Sequence, residues 1–87
     1  MTYVNCKRYD GTSHIIHDIK LEELDYFQGA FYLKYIDIIT GYVCHVVLYH
    51  PNSYIYYNHR KYSTEEDYYK LQQILRQEHI KGLLERM

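Results

Sequence analysis

The sequence predicts an α+β fold: a mainly antiparallel β-sheet of about five strands, one long C-terminal helix packed on one face, and a short helical turn between strands 2 and 3. Three observations lead there. Asp10-Gly11 sits between two alternating runs and is a strong hairpin signal. Three runs rich in β-branched and aromatic residues, 31–39, 42–50 and 54–62, are separated by Thr40-Gly41 and by Pro51-Asn52-Ser53. Ser63-Thr64-Glu65-Glu66 then reads as a capping box before a run with helical spacing. The 87 residues, 47% hydrophobic and 24% charged, suit one domain over 1–87 with one core.

In the first hairpin, over residues 2–19, a two-residue turn at Asp10-Gly11 pairs Tyr9 with Thr12 and Cys6 with Ile15. That register gathers Val4, Cys6, Ile15 and Ile19, with His17, on the core face. It leaves Tyr3, Asn5, Lys7, His14 and Ile16 on the other, where they meet solvent or a partner. Leu21, Leu24 and Phe27 recur every third residue ahead of Gly29, the basis for the helical turn over 20–28 with Gly29 as its C-cap. In the helix expected from 64 to about 86, Ser63 is the N-cap, Glu66 is at N3, and Lys81 and Arg86 lie towards the end. Tyr68, Leu71, Ile74 and Leu75 form one stripe. Ile80, Leu83, Leu84 and Met87 form another, rotated around the axis. Either the helix bends near Gly82 and keeps both stripes on the sheet, or the last turns offer Leu83, Leu84 and Met87 as an oligomer interface.

Composition narrows function by exclusion. Ten basic against eleven acidic residues give a net charge of -1, so no global field draws the chain to nucleic acid or anionic lipid. No segment has the length of apolar residues needed to span a membrane, and the N-terminal residues lack a signal-peptide core, so a cytoplasmic protein is expected. Two cysteines, Cys6 and Cys44, supply no disulfide framework, and they read as small buried hydrophobes. His14 and His17 point to opposite faces of a strand and cannot converge on a metal. His45 and His59 would face each other if residues 51–53 formed a hairpin loop, but two ligands do not complete a zinc site. With no phosphate loop, nucleophile elbow or paired catalytic carboxylates, the expectation is a protein without catalytic residues, metal or cofactor.

The unusual feature is tyrosine, at 13 residues against two Phe and no Trp. A small core cannot absorb so many hydroxyls, so several rings must lie at the surface, where rigid amphipathic groups favour recognition. Codon usage in an AT-rich genome, such as that of a low-GC bacterium or its phages and plasmids, is the competing explanation. The expected function is a small protein-binding module, an inhibitor or adaptor of the phage or mobile-element type acting on a protein partner such as host-defence machinery. Tyr54, Tyr57, Arg60, Lys61, Tyr68 and Tyr69 are its contact residues, and a homodimer is expected through Leu83, Leu84 and Met87. Two alternatives stand beside it: a single-stranded nucleic-acid platform built on 54–62, and a metal-independent ribonuclease of the toxin type using His59, Arg60, Lys61 and Tyr62.

Overall fold

A computed structural model describes residues 2–7, 10–49 and 52–85, the side chains of Leu84 and Glu85 excepted. Seven antiparallel strands, β1 (Tyr3–Lys7), β2 (Ser13–His17), β3 (Ile19–Phe27), β4 (Ala30–Asp37), β5 (Val43–Leu48), β6 (Tyr54–Tyr57) and β7 (Arg60–Tyr62), precede one helix, α1 (Glu65–Glu85). They form two sheets, β2-β1-β6-β7 and β3-β4-β5, with α1 packed mainly along β3 and reaching β7. The α+β class and the long helix are as expected; the single five-stranded sheet is not.

Local turn chemistry explains the differences. Residues 20–28 are not a helical turn: Ile19–Phe27 is a strand, and Gln28 and Gly29, both at positive φ, make a two-residue turn into Ala30. Gly29 supplies the left-handed conformation that the sequence reading assigned to a helix cap. Residues 54–62 are likewise two strands, because Asn58 (φ 48°) and His59 (φ 65°) turn the chain with Tyr57 opposite Arg60. The first hairpin is one residue out of the expected register: Val4 pairs with Ile16 and Cys6 with His14. The Asp10 carboxylate accepts the Thr12 N–H at 2.9 Å, and Tyr9 lies outside the described residues. Ile16 therefore packs against the core, and Ile15 is exposed.

β5 and β6 lie in different sheets, so they do not pair as a hairpin. His45 lies opposite Lys34, and His59 sits in the β6–β7 turn, so the two histidines are not paired. The helix cap is also displaced by one residue. Thr64, not Ser63, caps α1: its hydroxyl accepts the Asp67 N–H at 3.0 Å, and the Asp67 carboxylate accepts the N–H groups of Ser63 and Thr64.

The core lies between the sheets and under the first half of α1. Val4, Leu24, Phe31, Leu33, Leu48, Ile55, Tyr68 and Leu71 are fully buried in it. Tyr68 sets its ring edge-on to Phe31, at 4.6 Å between centroids, and its hydroxyl donates to the buried Ser53 carbonyl at 2.7 Å. The first stripe of α1 faces this core as expected. Of the second, Ile80 and Leu83 are about half exposed and do not join it; the side chain of Leu84, and Arg86 and Met87, lie outside the described residues. Among the described residues no helix is long and apolar enough to cross a membrane.

Two stability predictions follow from these caps and anchors. Burial opposes the Asp67 charge, but the N–H groups of Ser63 and Thr64, the Thr64 hydroxyl and Arg60 outweigh it and hold the carboxyl below its ordinary value. A depressed carboxyl stabilises fully above its unfolded pKa and loses that effect as pH falls through the folded value. Asp67→Asn is therefore expected to lower urea stability by about 1 kcal/mol at pH 7, with the gap to wild type closing below about pH 4. Tyr68→Phe, which strands the Ser53 carbonyl in the core, is expected to cost about 1–3 kcal/mol in the same measurement.

Candidate functional site

The alternation of each strand assigns its side chains to a face. Ile16, Val4, Ile55 and Tyr62 form a cross-strand row on the inner side of the first sheet. The neighbouring positions form the outer row His17, Tyr3, Tyr56 and Lys61, with Ile15, Asn5 and Tyr54 beside it. Three of the 13 tyrosines are thus brought together on a face that contributes nothing to the core.

The rings are held by one another. Tyr3 stacks on Tyr56 at 5.1 Å with 18° between the planes, and meets Tyr54 edge-on at 6.1 Å. The Lys61 ammonium sits 4.4 Å from the centre of the Tyr54 ring. The Asn5 side chain, and after it the Tyr3 hydroxyl and the Lys61 charge, favour the Tyr54 phenolate over a smaller opposing effect of burial, so its hydroxyl is more acidic than an ordinary tyrosine. Beside this plate runs an open groove of about 590 Å³ whose lining includes Tyr3, Tyr54, Ile15, His17 and Ile38. Asp18, at φ 58°, bends the chain from β2 into β3 at the groove wall, and its carboxylate lies 3.0 Å from the His17 ring.

The six expected contact residues do not form one surface. Tyr54 and Lys61 belong to the plate. Tyr57 and Arg60 point to the other side of the sheet, where each braces α1: the Tyr57 hydroxyl donates to the Glu78 carboxylate, 2.6 and 2.8 Å from its two oxygens, and Arg60 lies 3.6 Å from Asp67. Tyr68 is a core residue with no exposed surface, and cannot make direct contact with a partner. Tyr69 is exposed at a separate cluster with Tyr26 and Phe31. Tyr3 and Tyr56 were missing from the expected set. The signal for Tyr3 lay in the outward face of the first hairpin, but Tyr56 could be placed beside it only by knowing that β6 pairs with β1.

The residues of the ribonuclease reading are dispersed as well. Arg60 and Lys61 point to opposite faces, Tyr62 is buried in the core, and His59 occupies the turn. Cys44 is turned inward beside Tyr35 while His45 is turned outward, and Cys6 is buried. Among the described residues no three His, Cys, Asp or Glu side chains form a metal-sized cluster. A second groove, of about 420 Å³, separates α1 from β3, and is walled by charges of both signs including Glu22, Lys34 and Arg76.

Comparison with protein-family models, curated proteins and solved structures gives no match for this chain.

The plate and the brace make opposite predictions for tyrosine ionisation. Burial first, and then Glu78, push the Tyr57 hydroxyl up to about 12. In an ultraviolet phenolate titration, Tyr57→Phe should remove a transition near the top of the range, and Tyr54→Phe should remove one below the ordinary tyrosine value of about 10.

Proposed function

We propose that this chain is a non-enzymatic protein-binding module, an inhibitor or adaptor that occludes a protein partner with the outer face of its β2-β1-β6-β7 sheet. The observation that supports this reading is the plate itself. Tyr3, Tyr54 and Tyr56 hold fixed positions next to an open groove, without serving the core. Ordering such rings at an interface sacrifices little conformational freedom, because the fold has already fixed them. Tyr is also among the residue types that most often dominate binding energy.

The character of the plate favours protein over nucleic acid. A base-stacking platform needs open ring faces flanked by several cations. Here Tyr3 and Tyr56 cover each other, and Lys61 lies over the Tyr54 ring. On the outer row Lys61 is joined by His17, which is engaged by Asp18. The narrowest form of the reading, an antagonist of host defence encoded by a phage or mobile element, rests on size and composition alone.

The test is capture from a low-GC bacterial lysate with and without nuclease, using wild type and the Tyr3→Ala/Tyr54→Ala/Lys61→Ala variant. A stoichiometric protein partner that survives nuclease should bind the variant at least about 30-fold more weakly, given hot-spot losses of about 2 kcal/mol or more. Because these side chains lie outside the core, the variant should keep the circular dichroism and cooperative unfolding of wild type. Undiminished binding by a folded variant sinks the assignment. Recovery of nucleic acid alone, with affinity falling steeply as salt rises, replaces it with the nucleic-acid reading.

A further inference from the structure

The two sheets expose their edges unequally. α1 packs along β3, at one edge of its sheet. At the ends of the other sheet, β7 has three residues, two of them Arg60 and Lys61, and β2 has five, including Ser13, His14 and His17. Short, polar or lysine-bearing edges of this kind resist pairing with another chain. The six-residue β5, Val-Cys-His-Val-Val-Leu, has no Lys, Arg, Asp, Glu or Pro, and among the described residues no strand lies along its outer side. Val43 is 55% exposed and Val47 36%.

The hydrogen-bond pattern identifies which groups of β5 are available. The Asp37 N–H donates to the Tyr42 carbonyl at 2.9 Å, which makes that pair a hydrogen-bonded one. Hydrogen-bonded and non-hydrogen-bonded pairs alternate along an antiparallel ladder. Following the register, Cys44, Val46 and Leu48 direct their main-chain groups to β4, and Val43, His45 and Val47 direct theirs to the free edge.

We propose that β5 pairs antiparallel with β5 of a second copy of this chain, about a two-fold axis through His45. This axis sets Val43 against Val47 of the second copy and His45 against its own counterpart, so every edge-directed main-chain group of both strands finds a partner. A two-fold axis perpendicular to the sheet also keeps core face beside core face, giving one continuous six-stranded sheet. Registers moved along the strand are poorer, since they leave edge groups unpaired or call on Tyr49, whose carbonyl already accepts the N–H groups of Asn52 and Ser53.

The flanking residues fit a copy of the same chain. Tyr49, which is 57% exposed, comes opposite Gly41 of the second copy, where the backbone is open and carries no side chain. The central row reads Glu23, Lys34, His45 and then the same residues in reverse, so each lysine stands beside a glutamate of its own protomer and no Lys, Arg, Asp or Glu side chains of like sign adjoin across the axis. This contact is separate from the tyrosine plate, which lies on the other sheet.

The position of His45 on the axis makes the pairing testable by charge. Sedimentation of the full chain between about 1 and 300 µM should show a monomer–dimer equilibrium. His45→Lys and His45→Glu each place like charges face to face, and should each weaken association about fivefold or more, whereas a 1:1 mixture of the two should recover a heterodimer. Hydrogen exchange on the unmodified protein provides an independent reading: the Val43, His45 and Val47 amides should gain protection with concentration, and the Lys34 amide should not. A monomer across the whole range overturns the proposal and leaves the edge to a strand from another protein. A dimer that is indifferent to both His45 variants and lost in Leu83→Lys also overturns it, in favour of contact through the helix end.

Discussion

The Tyr68 hydroxyl donates to the carbonyl of Ser53, and the Ser53 hydroxyl in turn accepts the Lys7 N–H at 3.3 Å. This chain of contacts runs through the three parts of the molecule. Tyr68 belongs to the first turn of α1, Ser53 ends the crossover between the sheets, and Lys7 closes β1. The same tyrosine ring packs edge-on against Phe31 of the second sheet. Ser53 is fully buried, and a main-chain carbonyl at such a position is costly unless it finds a partner within the protein. Tyr68 meets that requirement while filling volume, as a phenylalanine would not. Tyr68 thus ties the helix to the segment that leads into β6 and to the second sheet at once.

Tyrosine does different work at different depths of this fold. Tyr62 and Tyr68 fill the core, and burial pushes the Tyr68 hydroxyl far above its ordinary pKa. Tyr57 is a brace, its apolar body against the core and its hydroxyl on Glu78, holding the middle of α1 to the β6–β7 hairpin. Tyr3, Tyr54 and Tyr56 make a plate outside the core altogether. An AT-rich codon bias can explain why tyrosine stands where other proteins use Phe, Leu or Trp. It does not explain why three rings pack against one another on one outward face, since rings scattered by codon usage alone have no reason to converge there.

What could be read from the sequence was local, and what could not depended on pairing. The α+β class, the strands near 31–39 and 42–50, the helix and its first apolar stripe all follow from composition and period. The capping residues were found but misplaced by one, because Ser63 and Thr64 are both good caps and only the position of Asp67 decides between them. Leu21 and Leu24 share the inner face three residues apart because a bulge between Leu21 and Glu23 shifts the alternation of β3, while Phe27, on the other face and exposed, extends the spacing only in sequence. Asn58-His59 concealed a hairpin because neither residue is glycine, although Asn is the side chain best able to adopt positive φ after it. For the site, Tyr54 and Lys61 were legible as an aromatic beside a cation. Their separation from Tyr57 and Arg60 was not, because it depends on a turn inside a segment that reads as one continuous strand.

The division into two sheets gives the molecule two surfaces of different kinds. On the first sheet, side chains meet the outside: the β2 and β7 edges are short and polar, and the face carries the rings. On the second, the main chain does, because α1 packs along β3 while the apolar β5 has no described strand on its outer side. A single five-stranded sheet would have placed β5 beside β6, with the Val-Cys-His-Val-Val-Leu segment internal and its apolar side chains requiring no further account. Because β6 instead pairs with β1 in the other sheet, the same segment is an edge. The Tyr68–Ser53 contact lies just ahead of β6 and ties the start of that strand to α1, on the side of the molecule away from a pairing with β5.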